Sequence, residues 1–156
     1  MSASYAAIIA SPVGKLGLVI HQEQLSQIDF LTNDTALLQP RTPIAKEVST
    51  QLKSYFQNPT HRFTLNLSPA NTEFRKQVRK ALSKIPSGKT LTYQQLAEQL
   101  KNHPRAIGQA CRRNAIPIII PCHRVLAKNG MGGFAGETEG RLMDIKSWLL
   151  NHESNS

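Results

Sequence analysis

The segment Pro121-Cys122-His123-Arg124 sets a thiol beside an imidazole and a guanidinium, at the end of the apolar run Ile118-Ile119-Ile120. Positive surroundings lower a thiol pKa and raise the fraction present as thiolate, the nucleophilic form. Cys122 is therefore a candidate nucleophile, although a free cysteine is more often a small buried hydrophobe. Side chains of adjacent residues diverge in extended chain. His123 is thus expected to reach the sulfur through a water and not directly. An imidazole that takes up a proton needs an orienting acid. Glu153 is the candidate, and the competing reading is a solvated charge at a helix end. The chain has one other cysteine, Cys111, and five scattered histidines. That set suits neither a disulfide framework nor a structural zinc site, and no metal or cofactor is expected.

The elements that must position these groups follow from pattern. Tyr5–Ala10, Gly17–His21 and Ser26–Leu31 read as strands, with Ser11-Pro12-Val13-Gly14 as a hairpin turn. Ile44, Val48, Leu52, Tyr55 and Phe56 share a helical face. Phe63–Leu67 reads as a returning strand. Ser68-Pro69-Ala70-Asn71 is a boundary, giving domains 1–68 and 69–156. A helix then starts at Thr72, with Phe74, Val78, Ala81, Leu82 and Ile85 inward, and stops at Pro86-Ser87-Gly88. Thr92 caps a helix over Tyr93–Leu100, and Asn102-His103-Pro104 starts another that runs to about Arg113. Two short helices joined by a tight turn suggest a helix-turn-helix. Ile118–Ile120, bracketed by prolines, reads as buried extended chain ending at Cys122. A Gly-rich loop follows, and Leu142–His152 closes the chain as a helix. The order of elements makes the fold class α+β.

At 156 residues and 40% hydrophobic, the chain suffices for one compact domain or two small ones. It has no apolar run of the roughly 18 residues needed to span a bilayer. It also lacks the layout of a signal peptide. A soluble, cytoplasmic protein is expected. The net charge is +9, and its distribution is uneven. Between Arg75 and Arg124 stand eleven Lys or Arg and a single acid, Glu98, a net of +10, against −1 for the rest. A polyanion is the natural partner. Ala106, Gly108 and Ala110 make the second helix of the pair thin, as a minor groove about 6 Å wide would favour. Tight helix packing explains the same residues equally well. Arg105 sits in the first turn of that helix, where the macrodipole disfavours a cation. Arg112, Arg113 and Lys101 read as phosphate contacts, which carry affinity without sequence.

Pro121-Cys122-His123-Arg124-Val125, preceded by Asn114 and Ile118-Ile119-Ile120, resembles the active-site motif of the O6-alkylguanine-DNA alkyltransferases. Further segments match in order: Thr92-Tyr93-Gln94-Gln95-Leu96-Ala97, Arg105-Ala106-Ile107-Gly108, Gly133-Phe134-Ala135-Gly136 and Lys146-Ser147-Trp148-Leu149-Leu150-Asn151-His152-Glu153. The resemblance spans about Phe74 to Glu153. It implies a small N-terminal α/β domain of ribonuclease H-like type, then a mainly helical, winged-helix-like domain. It implies a double-stranded DNA partner carrying alkylated bases, bound by a monomer. Cys122 would accept the alkyl group from O6-alkylguanine, His123 would act through water as base, and Glu153 would orient His123. Asn114 would brace the turn before the cysteine. Ala106 and Gly108 would enter the minor groove, and Arg105 would fill the place of a flipped guanosine. Tyr93 would contact the neighbouring phosphate and the guanine leaving group. Pro117, Val125, Phe134 and Ala135 would line the guanine pocket.

An S-alkyl thioether offers no carbonyl for water to attack, unlike an acyl-enzyme, so a single turnover is expected. O4-alkylthymine stays open as a second substrate. This chain departs from the family at Phe134, where tyrosine is common, and at Ala135, where serine is common. The turn before Arg105 is shorter, and Glu137-Thr138-Glu139-Gly140 replaces a Gly-Gly pair. Two rival readings are a cysteine hydrolase and a DNA-binding protein that transfers nothing. The first leaves the basic helix pair unexplained, and the second leaves Cys122 unexplained.

Overall fold

In the computed structural model, which describes residues 4–134 and 139–154, the chain falls into two compact units, Met1–Ser68 and Pro69–Ser156. The first is built on alternating apolar residues. Strands β1 (Ala7–Ile9), β2 (Lys15–His21) and β3 (Gln24–Leu31) form one antiparallel sheet in that order. Ser11 Oγ closes the first turn, accepting from the Val13 N–H and donating to the Gly14 carbonyl. Gln22 and Glu23 both take positive φ between β2 and β3, as the favoured two-residue hairpin requires. Helix α1 (Pro43–Gln57) starts at Thr42, whose hydroxyl accepts from the Ala45 N–H. Val48, Leu52 and Tyr55 of α1 form the core with Leu16, Leu18, Leu25 and Ile28 of the sheet. Phe63–Leu67 does not return as a strand and makes one bridge, Leu25 to Leu67. The Thr64 N–H is taken by Gln51 Oε1 at 2.9 Å, which removes a donor that a ladder would need.

In the second unit, α2 (Glu73–Ser83) begins at Thr72, whose hydroxyl accepts from the Arg75 N–H. Strand β4 (Leu91–Thr92) leads into α3 (Tyr93–Leu100). A reciprocal pair of bonds between Thr92 and Gln95 caps that helix, satisfying amides that helix starts leave open. Lys101 ends α3 in left-handed conformation. Helix α4 (Pro104–Arg112) follows at once, with His103 Nδ1 accepting from the Arg105 N–H at 3.1 Å. Strand β5 (Val125–Leu126) pairs in parallel with β4, and α5 (Arg141–Ser154) completes the unit. The two-residue strands β4 and β5 are too short to show in hydrophobic periodicity.

A second expectation is overturned, in this unit. Ile118–Ile120 is not extended chain, and Cys122 does not end a strand. The Ile120 N–H donates to the Ile116 carbonyl at 3.0 Å, so the chain doubles back. Ile118 takes φ +74°, a conformation that β-branched residues rarely adopt and that costs about 1–3 kcal/mol. Burial of all three isoleucines holds the turn. Cys122 then opens a single 3-10 turn, Cys122–Arg124. No helix among the described residues is long and apolar enough to cross a membrane.

Candidate active site around Cys122

Asn114, just past the end of α4, organises the turn. Its Nδ2 donates to the Ile120 carbonyl at 2.9 Å and to Cys122 Sγ at 3.1 Å, while its Oδ1 accepts from the Ile116 N–H at 3.1 Å. One amide thus clamps both ends of the strained turn and touches the sulfur. Arg113 caps the helix, so Asn114 is not a simple cap. The sulfur-bearing residue is only 6% exposed. Burial pushes the Cys122 thiol up, and the Asn114 N–H and the Lys146 ammonium pull it back less strongly. A thiol acidified by nearby cations is therefore the wrong description, because loss of water outweighs them. Cys122 rests as a thiol, and any nucleophilic role for it requires a base.

His123 is adjacent in sequence, but its ring is turned toward Glu153. His123 is fully buried, with Nε2 at 2.8 Å from Glu153 Oε2. Glu153 is 2% exposed, which removes the reading of a solvated helix-end charge. Arg124 holds both oxygens of that carboxylate, Nε to Oε1 at 2.8 Å and Nη2 to Oε2 at 2.9 Å. Its Nη1 donates to the Ile85 carbonyl at 2.6 Å. Bidentate pairs of this kind are among the strongest hydrogen bonds in proteins. A carboxylate held this way can only accept, so Nε2 of His123 carries the proton and Nδ1 keeps its lone pair. Nδ1 is buried with no hydrogen-bond partner among the described residues. Burial lowers the His123 pKa, with the Glu153 bond pulling it up less strongly. Near neutral pH the ring is an uncharged base with one nitrogen unspent.

Lys146 and Arg124 carry no role in the motif reading, yet both hold the site together. Lys146 is 0% exposed. Its ammonium donates to the carbonyls of Val125, Met131 and Gly133 at 2.9, 2.5 and 2.9 Å. Among the described residues no carboxylate pairs with it. Burial lowers its pKa to about 8, and Cys122 and Cys111 act in the opposite sense. The spacing was a signal: Ile145, Lys146, Leu149 and Glu153 fall on one helical face, and all four are buried. The loop that Lys146 ties down meets Tyr93. A Cβ on Gly132, which has φ +71°, would stand 2.8 Å from the Tyr93 ring, so only glycine fits. Burial pushes the Tyr93 pKa up to about 12, with the Gly133 backbone opposing it less strongly. Burial also raises the Cys111 thiol to about 12, in keeping with a packing residue.

The remaining residues divide into two sets. Pro117, Val125 and Phe134 are buried near the cysteine in sequence, while Ala135 lies outside the described residues. Lys101, Arg105, Arg112 and Arg113 are exposed along α3–α4. Ile107, Ala110 and Cys111 face inward, so Ala110 is small for packing. Ala106 is half-buried. Gly108 is different: a Cβ added there would meet nothing within 4 Å. Internal packing does not demand that glycine. Among the described residues no three His, Cys, Asp or Glu side chains gather as a metal site.

Residues 73–155 match the family model described as 6-O-methylguanine DNA methyltransferase, DNA binding domain. The chain is 38% identical to a methylated-DNA–protein-cysteine methyltransferase of Methanosarcina mazei, over 97% of this chain and 98% of that one. It is 32% identical to the constitutive methylated-DNA–protein-cysteine methyltransferase of Bacillus subtilis, over 96% and 95%. Among solved structures it resembles the Mycobacterium tuberculosis protein in complex with DNA, with a TM-score of 0.79 and 32% identity. That match covers 95% of this chain and 91% of that one.

Proposed function

The chain belongs to the 6-O-methylguanine DNA methyltransferase family and repairs alkylated DNA by methyl transfer to one of its own cysteines; we propose that the acceptor is Cys122 and that His123, Glu153 and Asn114 serve it. The observation that carries this reading is the buried relay behind the thiol. Glu153 spends the Nε2 proton of His123, which leaves Nδ1 as the one nitrogen open to a new proton.

The Sγ proton passes through a water to Nδ1, and Glu153 stabilises the imidazolium that forms. The thiolate attacks the O6-bound carbon, an S–C bond forms and the C–O6 bond breaks. The electron pair leaves with guanine, which takes one proton from water, and the His123 imidazolium returns its proton to solvent, so the net transfer is thiol proton for alkyl group. Tyr93 keeps its own proton at neutral pH because its pKa is raised to about 12, so its hydroxyl can donate to the leaving base. Pro117, Val125 and Phe134 form the guanine pocket in this reading, with Lys146 fixing its 125–133 wall. The thioether has no exit, and the protein acts once. Incubation with a duplex carrying O6-methylguanine should add the mass of one methylene to the peptide holding Cys122, and repaired base should plateau at one per protein. Repair beyond one equivalent, or an adduct on Cys111, would overturn the assignment.

We read α3–α4 as a helix-turn-helix within a winged-helix-like domain, and residues 1–68 as a ribonuclease H-like domain. In this reading α4 lies in the minor groove, with Arg105 in the place of the flipped base. Lys101, Arg112 and Arg113 rest on phosphates. Gly108 supports it, since its missing side chain opens outward. A helix-interior glycine costs about 0.5–1 kcal/mol against alanine. Gly108→Ala should therefore stabilise the fold by that amount in thermal melts. Gly108→Leu should keep the fold and weaken duplex binding about tenfold or more, ~1.4 kcal/mol. Unchanged binding by the leucine variant would remove α4 from the groove.

A further inference from the structure

Helix α2 lies outside the machinery described so far, and its outer face has an unusual composition. Val78 and Leu82 are buried, together with Ile85 just beyond the helix. Lys76, Lys80 and Lys84 stand two residues out of step with Val78 and Leu82. Two residues turn a helix by roughly 200°, so the lysines occupy the opposite face, and all three are exposed. Lys84 keeps right-handed helical φ and ψ at the cap, so the row runs unbroken with about 6 Å between successive positions. Among the described residues no carboxylate pairs with any of the three. Neighbouring basic residues are engaged otherwise: Arg75 donates to Asn71 at 3.0 Å, and Arg79 is partly buried. Like charges at i and i+4 oppose helix formation, and Lys76 lies near the positive end of the helix dipole. The fold carries this row against its local interest.

We propose that Lys76, Lys80 and Lys84 form a second DNA contact, which follows the phosphate backbone of duplex beyond the segment engaged by α3 and α4. Helix α2 packs on both α3 and α4 through its apolar side, so the lysine row points away from that pair. A straight row of ammonium groups on flexible stems suits a phosphodiester strand and has no means of reading bases. Its task is to raise residence on long DNA during the search for a lesion. The proposal rests on the repair reading above, and its test is separable from that reading.

The triple variant Lys76→Gln, Lys80→Gln, Lys84→Gln should fold normally, because the substitutions are exposed and relieve repulsion. On an undamaged duplex of about five helical turns, each lost phosphate contact lowers the slope of log K against log salt by about 0.9, or about 2.7 for three. On a lesion duplex of about one turn, the slope and the single-turnover repair rate should equal those of the unaltered protein. An unchanged slope on the long duplex would overturn the proposal. An equal loss on both lengths would also overturn it, by placing the row inside the lesion footprint. Absence of repair by the unaltered protein on the short duplex would instead sink the functional reading, whatever the lysines do.

Discussion

Glu153→Gln is expected to cut the alkyl-transfer rate by about 10²–10⁴-fold, the usual worth of a positioned general base. The carboxylate serves two partners, accepting from His123 Nε2 and from two nitrogens of Arg124. A glutamine amide has one accepting atom and one donating group. Once Arg124 claims the oxygen, the NH₂ faces Nε2 and turns that nitrogen into an acceptor. The ring proton then moves to Nδ1, the atom that must stay open for the proton of the thiol. The variant should keep Asn114, the sulfur and the helix pair, so lesion-DNA binding should survive while transfer fails. Stability should fall as well. Removing one partner of a buried ion pair costs about 3–5 kcal/mol, and the Arg124 guanidinium is largely buried. Rates must therefore be taken below the variant's melting temperature. Nitrogen chemical shifts of His123 give the readout specific to the tautomer. A variant that repairs at the normal rate with its proton still on Nε2 would remove Glu153 from the mechanism.

Much of this site was legible because its chemistry is contiguous. Cys122, His123 and Arg124 adjoin, and Glu153 falls on a helical face with Ile145 and Leu149. What escaped was set by burial and by backbone shape. The sequence shows cations around the thiol but not that Arg124, two residues on, is spent on Glu153 and Ile85. Nor does it show that dehydration of the sulfur outweighs charge. Ile118-Ile119-Ile120 looks extended because three β-branched residues favour strands. The clamp of Asn114, four residues upstream of Ile118, bends them into a turn at the cost of a left-handed Ile118. In the N-terminal unit alternation marked the three strands, and the hairpin turn at Ser11–Gly14 followed from its residues. The fourth apolar stretch failed as a strand because the Gln51 side chain took the Thr64 amide, which no periodicity reveals.

Lys146→Met is expected to lower the transfer rate by about 10²-fold, comparable to losing one preorganised electrostatic contact in a catalytic site. Methionine fills the space of the stem but leaves the carbonyls of Val125, Met131 and Gly133 without their donor. Each unpaired buried carbonyl costs about 1–3 kcal/mol, so the loop against Tyr93 should loosen and melting should come earlier. The ammonium also acts on the thiol: it is the cation that offsets the burial of Cys122, and without it the sulfur loses its proton less readily. The pH profile isolates that second role. Lys146 has a folded pKa of about 8 against about 10.4 in an unfolded chain. Between those values the unfolded chain binds more protons, so this group's contribution to stability rises with pH across the window and does not fall. Function runs the other way, because repair needs the ammonium and the ammonium is lost as pH passes about 8. The transfer rate should therefore decline above pH 8 while the melting temperature does not. On the acid side the rate should rise as His123 sheds its proton, below its ordinary range because burial lowers it. In Lys146→Met the alkaline decline should vanish and the acid limb should stay. A rate that climbs smoothly through pH 8 in the unaltered protein, following ionisation of the thiol alone, would strip Lys146 of any part in activating the sulfur.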